Sequence, residues 1–213
     1  MYRILAIAAI ACVSSAAACT HETKANNPSA DAGAQKPAAA DPKKTDAALD
    51  PKKVESSTGI TFDVPEGWKR IPPKTNMRVA ELTPPRAEGD TDEGNLVVTY
   101  FGGGAGGFEA NLDRWAGQMT KADGTALGRE DAKIRDFAYS AAGKAKIVEF
   151  EGNFDDPGMA SRLPIKFSNA KLVVAAVERE DGTYYFKLVG PAKSIAAAVP
   201  GFEALLKSIK FTN

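Results

Sequence analysis

Alternating and β-branched apolar runs predict about six strands between residues 58 and 213. "GITFDV" alternates Ile60, Phe62 and Val64, and the aromatic, β-branched "NLVVTYF" suits a strand. "KLVVAAVERE" and "TYYFKLVG" flank Asp181 and Gly182, a dipeptide typical of a tight hairpin turn. The other strand-like runs are "MRVAELT", "DAKIRDFAYS" and "GKAKIVEFEGNF".

Helical spacing occurs at two places. Phe108, Leu112, Trp115 and Met119 recur at i, i+4, i+7 and i+11, which predicts one amphipathic helix. "AKSIAAAV" and "GFEALLKSIKF" predict helices that break or restart at Pro200. Consecutive strands without intervening helices predict an α+β fold, a mostly antiparallel sheet flanked by helices.

The N-terminus has the order of a secretory signal. Arg3 precedes the apolar run "ILAIAAIACV", and small residues lead to Cys19. Ordinary cleavage after Ala18 fits, but the residues before Cys19 also resemble a bacterial lipobox, with Ala16 where that pattern prefers Leu. Cys12 would leave with the signal, so an unlipidated Cys19 would be a lone exposed thiol. We expect residues 1–18 to be a signal peptide and Cys19 to carry the lipid.

Composition divides the remaining chain at about residue 58. Residues 19–57 contain no aromatic residue and are dominated by Ala, Pro, Lys and Asp, so we expect a disordered linker. Residues 58–213 have the length of one domain with a core. Because Thr20 rather than Asp follows Cys19, resemblance to enterobacterial sorting signals predicts an outer-membrane lipoprotein facing the periplasm.

Charge and residue types exclude several kinds of function. The 27 basic and 27 acidic residues balance, so we expect no nucleic-acid binding. The single histidine, His21, lies in the linker, and residues 58–213 contain neither His nor Cys. We therefore expect no cofactor, no metal site and no His- or Cys-based catalysis.

A glycine cluster between a strand and a helix is the first candidate site. Gly102, Gly104 and Gly107 fit the spacing of a dinucleotide-binding loop, but no second parallel strand follows to complete that motif. A strand-to-helix corner that permits positive φ explains the glycines better. We keep a minor hypothesis that Gly104, Gly106 and Gly107 bind an anion or a partner's carboxylate at the helix N-terminus.

The polar side of the predicted helix is the second candidate site. Asn111, Arg114 and Gln118 recur at i, i+3 and i+7. This spacing would place a guanidinium between two amides, which could bind a carboxylate or a partner backbone. The alternative is an internal brace in which Arg114 pairs with an acidic neighbour.

Several motifs resemble the Mog/PsbP-like superfamily, a fold also seen in envelope lipoproteins of the DcrB type. They are "FDVPEGW", "NLVVTYFGGGAGG" followed by "NLDRWAGQM", "VEFEGNF", "YYFKLVGP" and "FEALLKSI". The glycine-containing stretch also resembles a subgroup of bacterial exported proteins. The resemblance implies an antiparallel sheet flanked by helices, in proteins that mostly act as binding or assembly subunits.

Two functions follow as hypotheses. The first is a non-enzymatic cell-envelope lipoprotein that binds or assembles with an envelope protein partner. The alternative is an exported carboxylate- or metal-dependent hydrolase, with Asp155 and Asp156 as its candidate carboxylates.

Overall fold

A computed structural model describes residues 49–103, 106–141, 143–158 and 165–212. The predicted signal peptide, Cys19 and most of the predicted linker lie outside this part of the chain. Its α-helices are α1 (Gly107–Ala116) and α2 (Ala192–Lys207), and Arg129–Asp131 form a short 3₁₀ helix. Its strands are β1 (Lys53–Glu55), β2 (Ile60–Asp63), β3 (Lys69–Ile71), β4 (Arg78–Thr83), β5 (Asn95–Gly102), β6 (Met119–Thr120), β7 (Lys133–Ala138), β8 (Lys144–Asp156), β9 (Ile165–Arg179), β10 (Gly182–Pro191) and β11 (Lys210–Phe211).

The strands form two antiparallel sheets. The large sheet has the order β3-β4-β5-β10-β9-β8, and both β6 and β7 pair with the outer edge of β8. The small sheet has the order β1-β2-β11. The predicted α+β class with a mostly antiparallel sheet is confirmed. The described residues contain more than the six strands predicted. The sequence pattern did not reveal β1, β3, β6 and β11 because these strands are too short to show an alternating pattern.

The centre of the large sheet is buried on both faces. On β9, Val173, Ala175 and Val177 face α2 and the small sheet, whereas Leu172 and Val174 face α1. All five side chains are fully buried. This two-sided burial explains why "KLVVAAV" is continuously apolar although it lies in an antiparallel sheet.

Both α-helices differ from the predicted pattern. α1 ends at Ala116 and Met119 begins β6, so the apolar spacing continues past the end of the helix. α2 runs without interruption through Pro200, so the predicted break is wrong. Pro200 lies on the exposed side, and the buried face continues across it from Ile195 to Phe202, which offsets the missing backbone hydrogen bond.

The folded part begins before Thr58, the boundary that composition suggested. Val54 on β1 is fully buried and pairs with Phe62 on β2. A three-residue strand with one apolar side chain leaves almost no compositional signal. The predicted linker of residues 19–57 therefore includes a strand of the fold at its C-terminal end.

Candidate functional site

The glycine cluster forms the corner between β5 and α1. Gly104 lies outside the described residues. Gly106 and Gly107 have backbone φ values of 80° and 76°, which residues other than glycine rarely adopt. Both neighbours of β5 in the sheet are antiparallel to it, so no βαβ unit surrounds this corner. Gly106 and Gly107 serve the turn of the backbone, and the described strands do not provide the parallel βαβ unit that a dinucleotide-binding loop requires.

Asn111 and Arg114 come together, but they brace the helix internally. Only 2% of Asn111 is exposed. Its Nδ2 donates to the Gly107 carbonyl at 2.8 Å and to the Tyr185 hydroxyl at 2.9 Å. Arg114 Nη1 donates to Asn111 Oδ1 at 2.8 Å, so Arg114 contacts an amide rather than the acidic neighbour considered above. Asn111 thus links α1 to β10 through the Tyr185 hydroxyl. Burial raises the pKa of this hydroxyl above its ordinary value.

Gln118 does not share a surface with these two residues. It follows the end of α1, where the helical spacing no longer applies. Its Oε1 accepts a hydrogen bond from Lys187 Nζ, which also lies 4.9 Å from the centre of the Phe154 ring. The predicted row of two amides around a guanidinium is therefore not formed.

Asp155 and Asp156 point to opposite faces of β8. The Asp155 side chain is 53% exposed and pairs with Lys166 at 2.7 Å. Asp156 is only 7% exposed, and its Oδ1 accepts from the Gly158 amide at 3.0 Å. The two carboxylates do not converge on one pocket. Among the described residues, no group of three His, Cys, Asp or Glu side chains is placed to hold a metal ion.

An apolar groove beside α2 is a site that sequence reasoning missed. We call it the α2 groove, and its volume is about 380 Å³. It is lined by Pro65, Glu66, Trp68, Pro85, Ala197, Ala198, Gly201 and Ala204. The turn "VPEGW" and the spacing of small residues on α2 were both visible in the sequence. Their contact depends on the packing of α2 on the sheet, which no local pattern reports.

Two loops build the wall of the α2 groove opposite the helix. The Trp68 amide donates to the Pro65 carbonyl at 3.1 Å, which closes the turn between these two residues. A Cβ at Gly201 would lie 3.1 Å from Trp68 Nε1, so the missing side chain permits this close approach. The loop that carries Pro85 is held to α2 because Asp90 Oδ2 accepts from the Ser194 amide at 3.0 Å.

The α2 groove offers one donor and one charge in an otherwise apolar lining. Trp68 is 8% exposed, and its indole N–H makes no hydrogen bond within the described part of the chain. Glu66 is exposed and has no ion-pair partner among the same residues. Apolar walls with a few polar groups are typical of binding sites.

Charged side chains also cluster on β8 and β9. Lys171 Nζ lies 2.7 Å from Glu149 and 3.0 Å from Glu151. Burial lowers the pKa of Lys171, but its hydrogen bonds to these carboxylates outweigh burial and raise the pKa above its ordinary value. The same bond lowers the pKa of Glu151. A cavity of about 230 Å³ lies beside this cluster, but its charged groups are paired with one another, which is typical of a structural ion-pair network.

No protein-family model matches the chain, and a comparison with curated proteins finds no match. Two solved structures are similar in fold. A protein from Bacteroides thetaiotaomicron VPI-5482 has a TM-score of 0.43 and 9% identity over 76% of this chain, which spans only 48% of that protein. Cyanobacterial PsbP (CyanoP) from Synechocystis sp. PCC 6803 has a TM-score of 0.43 and 11% identity, over 78% of this chain and 96% of that one. Similarity at this level does not establish a family or a function.

No helix of the described residues has the length and apolar character needed to cross a membrane.

Proposed function

We propose that this protein is a non-enzymatic cell-envelope lipoprotein of the DcrB type that acts as a binding or assembly module. Cys19 anchors it in the outer membrane facing the periplasm, and its partner is an envelope protein. The observation that carries the binding role is the α2 groove, an open apolar surface with Trp68 as its largest side chain. Buried aromatic anchors contribute much of the affinity at protein interfaces.

The placement of the residues considered for catalysis supports a binding role rather than an enzymatic one. Asp155 and Asp156 lie on opposite faces of β8, whereas a pair of catalytic carboxylates must face the same substrate. The sequence from 58 onward contains no His or Cys that would act as base or nucleophile.

The anchor is tested by comparing intact mass and membrane fractionation of the wild type with Cys19→Ser. We expect acyl mass on Cys19 and a membrane-bound wild type, with a soluble or unprocessed variant. Acyl chains contribute about 0.8 kcal/mol per buried methylene, so a multiply acylated cysteine anchors stably. If both proteins are soluble and cleaved after Ala18, the lipoprotein assignment is wrong.

The contact surface is tested by photo-crosslinking in cells. A photoreactive amino acid replaces Ala197, which lines the α2 groove, or Ala196, which is its exposed neighbour outside the groove. We expect Ala197 to give a crosslinked envelope protein that Ala196 does not give. Equal labelling from both positions would argue against the groove as the contact surface.

A further inference from the structure

The hydrogen-bonding groups of the α2 groove favour a bound segment that has few N–H groups. Among the lining side chains, only the Trp68 indole can donate and only the Glu66 carboxylate can accept. A buried peptide N–H without an acceptor costs about 1–3 kcal/mol. Proline has no N–H, so a proline-containing segment avoids this cost at each proline that the groove covers.

The Trp68 indole is placed to donate to a carbonyl of such a segment. Only 8% of Trp68 is exposed, and its Nε1 lies close to Gly201, which has no side chain to cover it. Both residues line the groove. Polyproline II segments make no internal backbone hydrogen bonds, so their carbonyls are available to this donor. Aromatic-lined grooves are a recurring way to bind these segments.

The charges around the groove favour a basic segment. Residues 84–94 form the loop that carries Pro85, and they include four acidic residues and one basic residue, Arg86. Four exposed carboxylates on this loop and on the groove itself form no ion pair within the described part of the chain. They are Glu66, Glu88, Asp92 and Glu93. A surface of this kind attracts positively charged partners.

Hydrogen bonds hold the acidic loop against α2, next to the groove. The Ala87 amide donates to Ser194 Oγ at 2.9 Å, and Asp90 Oδ2 accepts from the Ser194 amide at 3.0 Å. Lys193 Nζ donates to the Glu88 carbonyl at 2.7 Å. Ser194 lies about one helical turn before the residues of α2 that line the groove. This distance is shorter than the screening length of about 10 Å at 0.1 M salt, so the charge of the loop acts at the groove.

We propose that the α2 groove binds an extended segment of the envelope partner that contains prolines and at least two Lys or Arg residues. This identification of the segment rests on the proposed function. A segment carbonyl accepts from Trp68, the proline rings pack on the apolar walls, and the basic side chains pair with Glu66 and the acidic loop. A polyproline II chain covers about 3.1 Å per residue and α2 rises about 1.5 Å per residue, so about three or four residues span the groove from Ala197 to Ala204.

Synthetic peptides test this recognition. The probe is Ac-PPKPPKPP-NH2, titrated into the ¹⁵N-labelled chain from residue 19 onward, in which Cys19→Ser removes the only thiol. The indole N–H signals of Trp68 and Trp115 are read. Because Trp115 packs on the opposite face of the large sheet, it is the internal reference. We expect the Trp68 signal to shift with a dissociation constant of about 1 mM or less, while the Trp115 signal does not move.

Two control peptides separate the two features of the segment. Ac-PPEPPEPP-NH2 reverses the charge, and Ac-AAKAAKAA-NH2 keeps the charge but restores the N–H groups. We expect each to bind at least about tenfold more weakly than the probe, which corresponds to about 1.4 kcal/mol.

Three variants of the protein locate the contacts. Glu66→Gln should weaken binding of the lysine probe about threefold, as expected for one exposed charge pair, whereas Glu180→Gln in the distant β9–β10 turn should not. Trp68→Phe keeps an aromatic ring but removes the donor, and should also weaken binding about threefold, read at the Gly201 amide. The amide spectrum of each variant shows whether the fold is intact.

Two results would overturn this recognition. One is a Trp68 signal that does not shift with the lysine probe at about 5 mM. The other is equal binding of all three peptides, because the groove would then select neither prolines nor basic residues. The proposed function is tested separately, since the photo-crosslink from Ala197 does not depend on these peptides. A crosslink without peptide binding would mean that the partner contacts the groove through a different chemistry.

Discussion

At the scale of single residues, the polar positions of α1 show how burial changes the role of a side chain. Asn111 and Arg114 have the spacing of an exposed recognition surface. The side chain of Asn111 is buried against β10. Its amide forms hydrogen bonds with Gly107, Arg114 and Tyr185. A buried polar group needs such partners, since an unpaired one costs about 1–3 kcal/mol. Asn111 therefore contributes to stability by holding α1 on the sheet.

Asn111→Ala should lower the free energy of unfolding by about 1–3 kcal/mol, because it leaves the Tyr185 hydroxyl and Arg114 without their partner. Urea denaturation measures the change. Tyr185→Phe and the double variant complete a double-mutant cycle for the Asn111–Tyr185 hydrogen bond. Strict additivity of the two single changes would show that this hydrogen bond contributes nothing.

At the scale of elements, α2 shows that a helix can continue through a proline when its packed face is intact. Ile195, Ala198 and Phe202 are buried on both sides of Pro200, and Leu205 and Leu206 extend this face. Proline removes one backbone donor and disfavours the helix by about 3 kcal/mol relative to alanine. Tertiary packing of the apolar face outweighs this local penalty.

Pro200→Ala should raise the free energy of unfolding by about 1–3 kcal/mol, because a regular backbone hydrogen bond to the Ala196 carbonyl becomes available. The rise is smaller if the unfolded chain gains conformational entropy. Chemical denaturation measures the free energy of unfolding of Pro200→Ala and of a control, Pro72→Ala, which lies in an exposed loop. For the control we expect a change within about 0.5 kcal/mol. A loss of stability in Pro200→Ala would show that the proline itself packs favourably.

The ion-pair network between β8 and β9 predicts a pH-dependent contribution. Lys171→Met removes the partner of Glu149 and Glu151 and should cost about 1–2 kcal/mol at pH 7. The bond to Lys171 lowers the pKa of Glu151 from its ordinary value of 4.5. This contribution is therefore present above the unfolded pKa and is lost as the pH falls through the folded pKa. The stability difference between the two proteins should shrink below about pH 4.

Lys133→Met is the matched control for this pH series. Lys133 also faces Glu151, but its Nζ lies 3.8 Å away and its side chain is 75% exposed. Exposed pairs contribute about 0–1 kcal/mol, so we expect little effect at any pH. A Lys171→Met difference that is constant from pH 7 to acid would mean that the lost stability comes from packing of the side chain.

At the scale of the whole molecule, a small sheet and a large sheet share one core with α2. Val54, Ile60 and Phe62 belong to the same buried cluster as Val173 and Ile195. The last strand, β11, pairs with β2, so both ends of the described chain meet in the small sheet. The folded unit therefore depends on residues that precede Thr58.

Val54→Ala should reduce the free energy of unfolding by about 2 kcal/mol, because it removes fully buried methyl groups from the shared core. Thermal and chemical denaturation measure the loss. Lys53→Ala changes an exposed neighbour on the same strand and should alter stability by about 0.5 kcal/mol or less. An unchanged Val54→Ala protein would place the start of the folded unit after β1.

The sequence by itself determined the elements that are long and regular. The strand "NLVVTYF", both helical regions and the hairpin of β9 and β10 are found where the patterns predicted them. The turn of that hairpin is one residue earlier than predicted, because its loop is Glu180 and Asp181 and Gly182 already pairs with Arg179. Periodicity reports these elements because the same side-chain spacing is repeated over several turns or residue pairs. The α+β class followed from their order along the chain.

Only the tertiary structure decided the short strands, the role of Asn111 and the α2 groove. β1 and β11 exist because β2 lies between them, and Asn111 is buried because Tyr185 lies opposite. The groove requires Trp68 and Gly201 to meet, although they are far apart in the chain. Such features arise from contacts between distant segments, and a local hydrophobic pattern contains no information about which segments will meet.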